Sequence, residues 1–215
     1  MKEMVVAVGY AKGRLGEFAE NLGFVCNDKF QDNGFVQGKL DITRFKELIL
    51  KKNPIVAMLP DYHVEESLKL MKDITVSIWI YPLHRKEELQ FFREENVWLG
   101  FPHKRHDVRD GIDLGRNYSL KWYLENVSKK WWMGLWDDTK INYLKYFGGF
   151  DTTMFYYLCT KQGSIWTGWG KRKKSKKWRN GTQILQESFL NFKNYLLKKG
   201  IIIRNFQEGV EIHEN

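Results

Sequence analysis

Six short apolar runs end in residues able to take part in chemistry. Asp32 lies in FQDNGF, Asp61 in AMLPDY, His84 closes WIYPLH, Gly100 turns in WLGFPH, Asp137 and Asp138 follow WMGLW, and Asp151 lies in GGFDTT. Several carboxylates converging on one mouth can supply a general acid or base, a nucleophile and an acceptor for a substrate's hydrogen bonds. They also suit a divalent cation, as in a metal-dependent nuclease or phosphoesterase using Asp32, Asp61, Asp137 and Asp138. An Asp after a strand has an ordinary job too, as N-cap of the next helix, and Asp61, Asp137 and Asp138 are open to that reading. Asp151 differs: Gly148 and Gly149 before it let backbone approach closely, and Thr152 and Thr153 after it offer hydroxyls to hold a carboxylate.

A second constellation is ionic and aromatic. In KRKKSKKWR, Lys171, Arg172, Lys173, Lys174, Lys176, Lys177 and Arg179 surround Trp178, with Trp166 and Trp169 just upstream. Cations follow a phosphate backbone while indole rings offer faces to unstacked bases. The same run also reads as a solvated loop. The whole chain carries a formal charge of +9 with nine tryptophans, so a polyanionic partner is expected and some rings must be partly exposed. The two cysteines, Cys26 and Cys159, are far apart and read as small buried hydrophobes. His103 and His106 are spaced by two cations, which favours a solvated loop over a metal pair. No metal site or cofactor motif is expected: GYAKGRLG at 9–16 is not a GxGxxG fingerprint, and no Walker sequence occurs. No run approaches a membrane-spanning length and the N-terminus lacks a leader's cleavage region, which places the protein in the cytoplasm.

These residues need a frame. Apolar runs alternating with polar stretches of helical period read as strands at Val5–Val8, Phe24–Cys26, Ile55–Leu59, Thr75–Ile80, Val97–Gly100, Trp131–Leu135 and Gly149–Phe150. Helices are expected at Arg14–Leu22, Ile42–Lys51 with Asp41 as N-cap, Val64–Met71, Lys86–Glu94, Leu120–Val127, Thr139–Tyr146 and Thr182–Lys199, the last ending at Gly200. Seven or eight such units predict an α/β fold, a compact (β/α)8 TIM-like barrel with irregular first units, in a single domain spanning 1–215. An open doubly wound sheet is the alternative.

The motif order resembles one family. QDNGF at 31–35 is similar to the LDSGGF segment of the tRNA-guanine transglycosylase superfamily, in particular its deazapurine DNA-modification (DpdA-like) branch. MLPDY at 58–62 resembles its PQDW segment, IYPLH at 80–84 its PVLQG strand end, VWLGF at 97–101 its VGVGS segment, WMGLW at 132–136 its HGFG segment and GFDTTMF at 149–155 its ADSMAW segment. The resemblance implies a barrel enzyme that exchanges guanine for a 7-deazaguanine base in DNA, tRNA being the second candidate, or a non-catalytic nucleic-acid-binding barrel if turnover has been lost. It implies Asp151 as nucleophile, Asp32 as general acid/base, Asp61 and His84 as readers of the purine edge, and Gly100, Met133 and Gly134 as the slot for the ring. His84 replaces the family's usual Gln, and Asn33 replaces a glycine of the GGF turn. The tRNA enzymes' cysteine-rich zinc set is missing, which favours DNA. On this reading Trp169 and the run from Lys171 to Arg179 hold the strand from which the base is extruded.

Overall fold

Val, Ile, Leu and Trp fill both faces of the central strands, as a parallel sheet covered on each side requires. The computed structural model describes residues 1–9, 11–33, 40–102, 108–109, 112–113, 115–135, 138–153, 163–168, 171–174 and 181–206, with backbone alone at 108, 109, 112, 113, 138 and 171–174. The chain runs β1 (Lys2–Ala7), α1 (Gly13–Asn21), β2 (Phe30–Gln31), α2 (Ile42–Lys52), β3 (Val56–Met58), α3 (Val64–Asp73), β4 (Ile78–Pro82), β5 (Val97–Pro102), β6 (Val108–Arg109), β7 (Ile112–Asp113), α4 (Leu120–Asn126), β8 (Lys130–Met133), β9 (Gly149–Asp151), β10 (Ser164–Gly168), β11 (Lys171–Lys174), α5 (Gly181–Lys198) and β12 (Ile201–Ile203).

The main sheet is parallel, in the order β12-β1-β9-β8-β5-β4-β3-β2. Its ends meet at β1. Odd residues of β1 bond β9, through Val5 N to Gly148 O and Thr152 N to Ala7 O. Even residues face the other edge, where Lys2 and Met4 bond the chain around β12 while Val6 and Val8 bond Val25. β12 and the approach to β2 therefore share one edge of β1, and the strands curl into a (β/α)8-like barrel with irregular units.

Two apolar clusters follow from this curl. One contains Val5, Ala7, Val25, Phe30, Val56, Met58, Ile78, Ile80 and Trp131, alternate residues from strand after strand and none from a helix, so it is the barrel interior. The larger one packs the outward strand residues against helices, through Phe45 and Ile49 of α2 and Phe189, Phe192 and Leu196 of α5. Asp41 caps α2, accepting from Arg44 N at 3.0 Å, and Gly200 follows α5 at φ +77, both as the sequence predicts.

Three expected elements differ. Phe24–Cys26 pairs only at Val25, because Asn27 at φ +54 opens a 3-10 turn (Asn27–Lys29) before pairing resumes at Phe30. The expected helix Lys86–Glu94 is a 3-10 turn over Lys86–Phe91: Glu88 accepts from the backbone of His84 and Arg85, and Phe92 stacks on Tyr81 at 3.8 Å, tying both ends to β4. Thr139–Tyr146 falls in a 3-10 helix (Asp138–Tyr146), where buried Ile141, Leu144 and Phe147 recur every third residue, the 3-10 period.

Gly149 is fixed by close approach. A Cβ there would strike the Trp131 ring and stand 2.8 Å from Val5 O, and one at Gly148 would strike Trp98. Gly149→Ala should therefore destabilise the protein by about 2 kcal/mol through overpacking, measurable by urea unfolding.

Candidate active site

The strand register decides which side chains share the barrel mouth. Asp151 is paired with Ala7 and lies two residues beyond Gly149, which is paired with both Val5 and Trp131. Aligned residues of parallel strands project to the same face, so Asp151 points inward with Val5, Ala7 and Trp131. It is half-buried at the C-terminal end of β9, where a β/α barrel carries its chemistry.

Asp151 is held from one side of the mouth. Trp131 Nε1 donates to Oδ1 at 2.9 Å, and Gly134 N donates to Oδ2 at 3.2 Å. Gly134 can do so because it turns sharply after β8 at φ +62, a conformation that suits glycine. Burial pushes the Asp151 carboxyl up to about 6; the Trp131 bond opposes the rise and the nearby charge of Asp32 adds to it. Asp32 and Asp151 are thus electrostatic neighbours. Asp32 itself is exposed at the end of β2.

A second polar cluster lies one residue on. Asn33 Nδ2 donates to Leu59 O at 2.6 Å and to Asp61 Oδ2 at 3.0 Å. Asp61 Oδ1 lies 2.9 Å from His84 Nε2, and His84 Nδ1 lies 3.0 Å from Gly115 O. A carbonyl only accepts, so Nδ1 carries a proton. Asp61 is 2% exposed and His84 1%. The ring of Tyr62 stacks on His84 at 4.2 Å, with φ +61 in its own backbone, and Arg85 lies over Tyr62 at 5.9 Å. Both His84 nitrogens are committed within the protein.

The slot residues meet in one place. Gly100 and Met133 sit on the neighbouring strands β5 and β8, and a Cβ on Gly100 would come within 2.6 Å of Met133 Sδ, so the thioether lies across the glycine. Thr152 departs from its expected role: its hydroxyl donates to Leu135 O at 2.8 Å, tying β9 to the turn after β8 instead of holding the carboxylate. Trp166 is no stacking surface either, since it is buried against Phe192 and Tyr195. Lys171, Arg172, Lys173 and Lys174 form β11, antiparallel to β10, which packs on α5 through Ile165 and Trp166; their side chains lie outside the described residues. So do Trp169, Lys176, Lys177, Trp178, Arg179, Asp137, Cys159, His103 and His106. Cys26 is buried, its Sγ donating to Gly16 O at 3.3 Å, and burial pushes the thiol up to about 12.

Among the described residues no three His, Cys, Asp or Glu side chains gather as a metal-ligand set, and no helix is long and apolar enough to cross a membrane. A cavity of about 710 Å³ opens elsewhere, lined by Leu89, Phe92, Arg93, Val97, Asn126 and Lys129 among others. It lies on the outer flank near the N-terminal ends of β5 and β8, where the helix after β4 is reduced to a 3-10 turn. The carboxylates Asp32, Asp61 and Asp151 stand at the opposite ends of the strands.

Sequence reasoning missed Trp131 as a site residue. The available signal was parity: Trp131 stands two residues before Met133, on the same inward face of β8.

No protein-family model and no curated protein matches the chain. Among solved structures it is similar to phosphoribosyl anthranilate isomerase from Thermus thermophilus, at 15% identity and a TM-score of 0.41, over 89% of this chain and 100% of that one.

Two outcomes are expected. His84→Ala removes the imidazole from the buried Asp61 carboxyl, leaving the Asn33 amide beside it, and should cost about 3 kcal/mol in urea unfolding. For Asp151 the folded value lies above the unfolded one, so its contribution to stability is full below about pH 4 and lost as pH rises through about 6. Asp151→Asn removes that dependence. Wild type should lose roughly 2 kcal/mol relative to the variant between pH 4 and pH 7, as unfolding curves at each pH will show.

Proposed function

We propose that the barrel mouth exchanges a purine base at an N-glycosidic bond in DNA, replacing guanine with a 7-deazaguanine. The observation that carries this reading is the Asp151 carboxylate, fixed by Trp131 and Gly134 at the C-terminal end of its strand, within electrostatic reach of Asp32. Asp151 attacks C1′ of the target nucleotide as the bond from C1′ to N9 breaks. The bonding pair leaves with guanine, whose ring takes a proton from Asp32. A covalent ester between Asp151 and the sugar remains. The incoming 7-deazaguanine then loses its N9 proton to Asp32, attacks C1′ and displaces Asp151, so acid and base have exchanged roles with no net change in the enzyme.

A carboxyl titrating near 6 suits both halves of this cycle. It is largely ionised at neutral pH, ready to attack, and remains a good leaving group in the second step. Gly100, Met133 and Gly134 would shape the slot for the flat ring, with sulfur against a ring face. Asp61 and His84 would form the wall beside it. Asp61, held by His84 and Asn33, would offer its remaining lone pairs to the base edge once the mouth opens, and His84 would act through Asp61 as a positioning residue. The basic strand β11 follows β9 in the chain and supplies cations for the phosphate backbone of an extruded nucleotide.

The test uses the full chain with radiolabelled guanine and either duplex DNA or tRNA. Label is expected in DNA. Label entering only tRNA would move the assignment to RNA. Under single-turnover conditions a denaturant-resistant adduct between protein and DNA should form with wild type and be lost in Asp151→Asn, with exchange falling at least about a thousandfold. Absence of any adduct in wild type would remove the covalent mechanism.

A further inference from the structure

We propose that Trp131 is a positioning residue for Asp151, fixing which carboxylate oxygen faces the mouth and keeping that carboxylate ionised. The inference rests on the reading of Asp151 as nucleophile, but its physical core can be tested apart from activity.

Trp131 is fully buried in the barrel interior, and three contacts set its ring. It stands opposite Gly149 on the neighbouring strand and occupies the space a Cβ there would need. Trp98 meets it edge-on, with ring centroids 6.1 Å apart at 68°. The ring leans along β9, and its N–H reaches Asp151 Oδ1 two residues beyond Gly149. Trp79 and Trp132 are also buried, on the outer side of the strands, and their indole nitrogens have no partner among the described residues. The N–H of Trp131 instead meets a carboxylate.

The chemical consequence follows from donor strength and place. An indole N–H donates and never accepts, so it stabilises the ionised carboxylate more than the neutral acid. With Oδ1 engaged by Trp131 at 2.9 Å and Oδ2 by Gly134 N at the longer 3.2 Å, Oδ2 is the more weakly held of the two by these donors and the one available to attack. Because the ring is wedged by packing, the carboxylate needs little reorganisation when it reacts.

Trp131→Phe keeps the ring and deletes the donor. Carbon-13 NMR on the aspartate-labelled protein, with the Asp151 signal assigned through Asp151→Asn, should show the Asp151 midpoint rising by about one pH unit in the variant. In the same variant the rate of adduct formation with duplex DNA should fall at least tenfold at neutral pH with KM little changed, and part of the loss should return at higher pH. An unmoved midpoint overturns the proposal. If the variant does not fold, wild type supplies the measurement: the Trp131 indole N–H resonance should titrate with Asp151, and a resonance that stays still from pH 4 to 8 overturns it. Should Asp151→Asn retain full base exchange, the nucleophile reading fails while the NMR coupling between Trp131 and Asp151 still stands or falls by itself.

Discussion

Trp131 faces Gly149 across a parallel register, and its indole runs along β9 until the N–H meets Asp151. A carboxylate half-buried in an apolar barrel must find donors in the wall, because burial without hydrogen bonds would cost several kcal/mol or force the group neutral. The wall of this barrel is mostly Val, Ile, Met and Trp, and of these only Trp carries a side-chain donor. The ring fits only where the neighbouring strand has no Cβ, so Gly149 and the N–H bond are parts of one arrangement. Gly148 and Trp98 repeat the fit on the next side chain along. The aromatic filling of the barrel and the polar chemistry at its mouth are therefore tied to the same two glycines.

The opposing carboxylate depends on an irregularity. With Val25 facing inward, uninterrupted alternation would turn 27, 29, 31 and 33 inward and leave Asp32 on the outside. The 3-10 turn at Asn27–Lys29 changes the phase, so Phe30 lies in the interior cluster and Asp32 comes close enough for its charge to act on Asp151. Asn33, one step further, is then free to bond Asp61 and Leu59 O on the side of β3. A single two-residue segment thus joins the Asp151 cluster to the pair formed by Asp61 and His84. The positive φ of Asn27 is tolerable because Asn enters the left-handed region more readily than most residues.

The parallel barrel was legible because its signals are local: short apolar runs, the Asp41 cap, and Gly200 after α5. What the sequence concealed depended on contacts between distant residues. Ile141, Leu144 and Phe147 are as consistent with a helix as with a 3-10 turn until their burial is known. β12 was missed because Ile201–Ile203 is three residues long and pairs only with the first half of β1. The carboxylates Asp151, Asp32 and Asp61 could be picked out by their places after apolar runs, but their partners could not. Trp131 hides among nine tryptophans, and the engagement of both His84 nitrogens rests on Gly115, which is 31 residues away. Thr152 next to Asp151 suggested a hydroxyl for the carboxylate, yet adjacent residues on a strand point to opposite faces, and the hydroxyl went to Leu135 O.

The costs within this fold lie where the chemistry would lie. Asp151 is held above its ordinary range by burial, Tyr62 takes a left-handed backbone angle that a bulky side chain resists, and Asp61 is buried as one half of an ionisable pair. A further buried carboxylate, Glu88, accepts two backbone N–H groups at 2.8 Å and ties the turn after β4 to its strand. Glu88 joins a turn to its strand, whereas the two oxygens of Asp151 accept one side-chain and one backbone N–H from β8 and the turn after it, an arrangement that an amide with a single acceptor oxygen would not reproduce. Asp151 is thus a group that burial disfavours at neutral pH and that two donors from the neighbouring strand nonetheless hold in place.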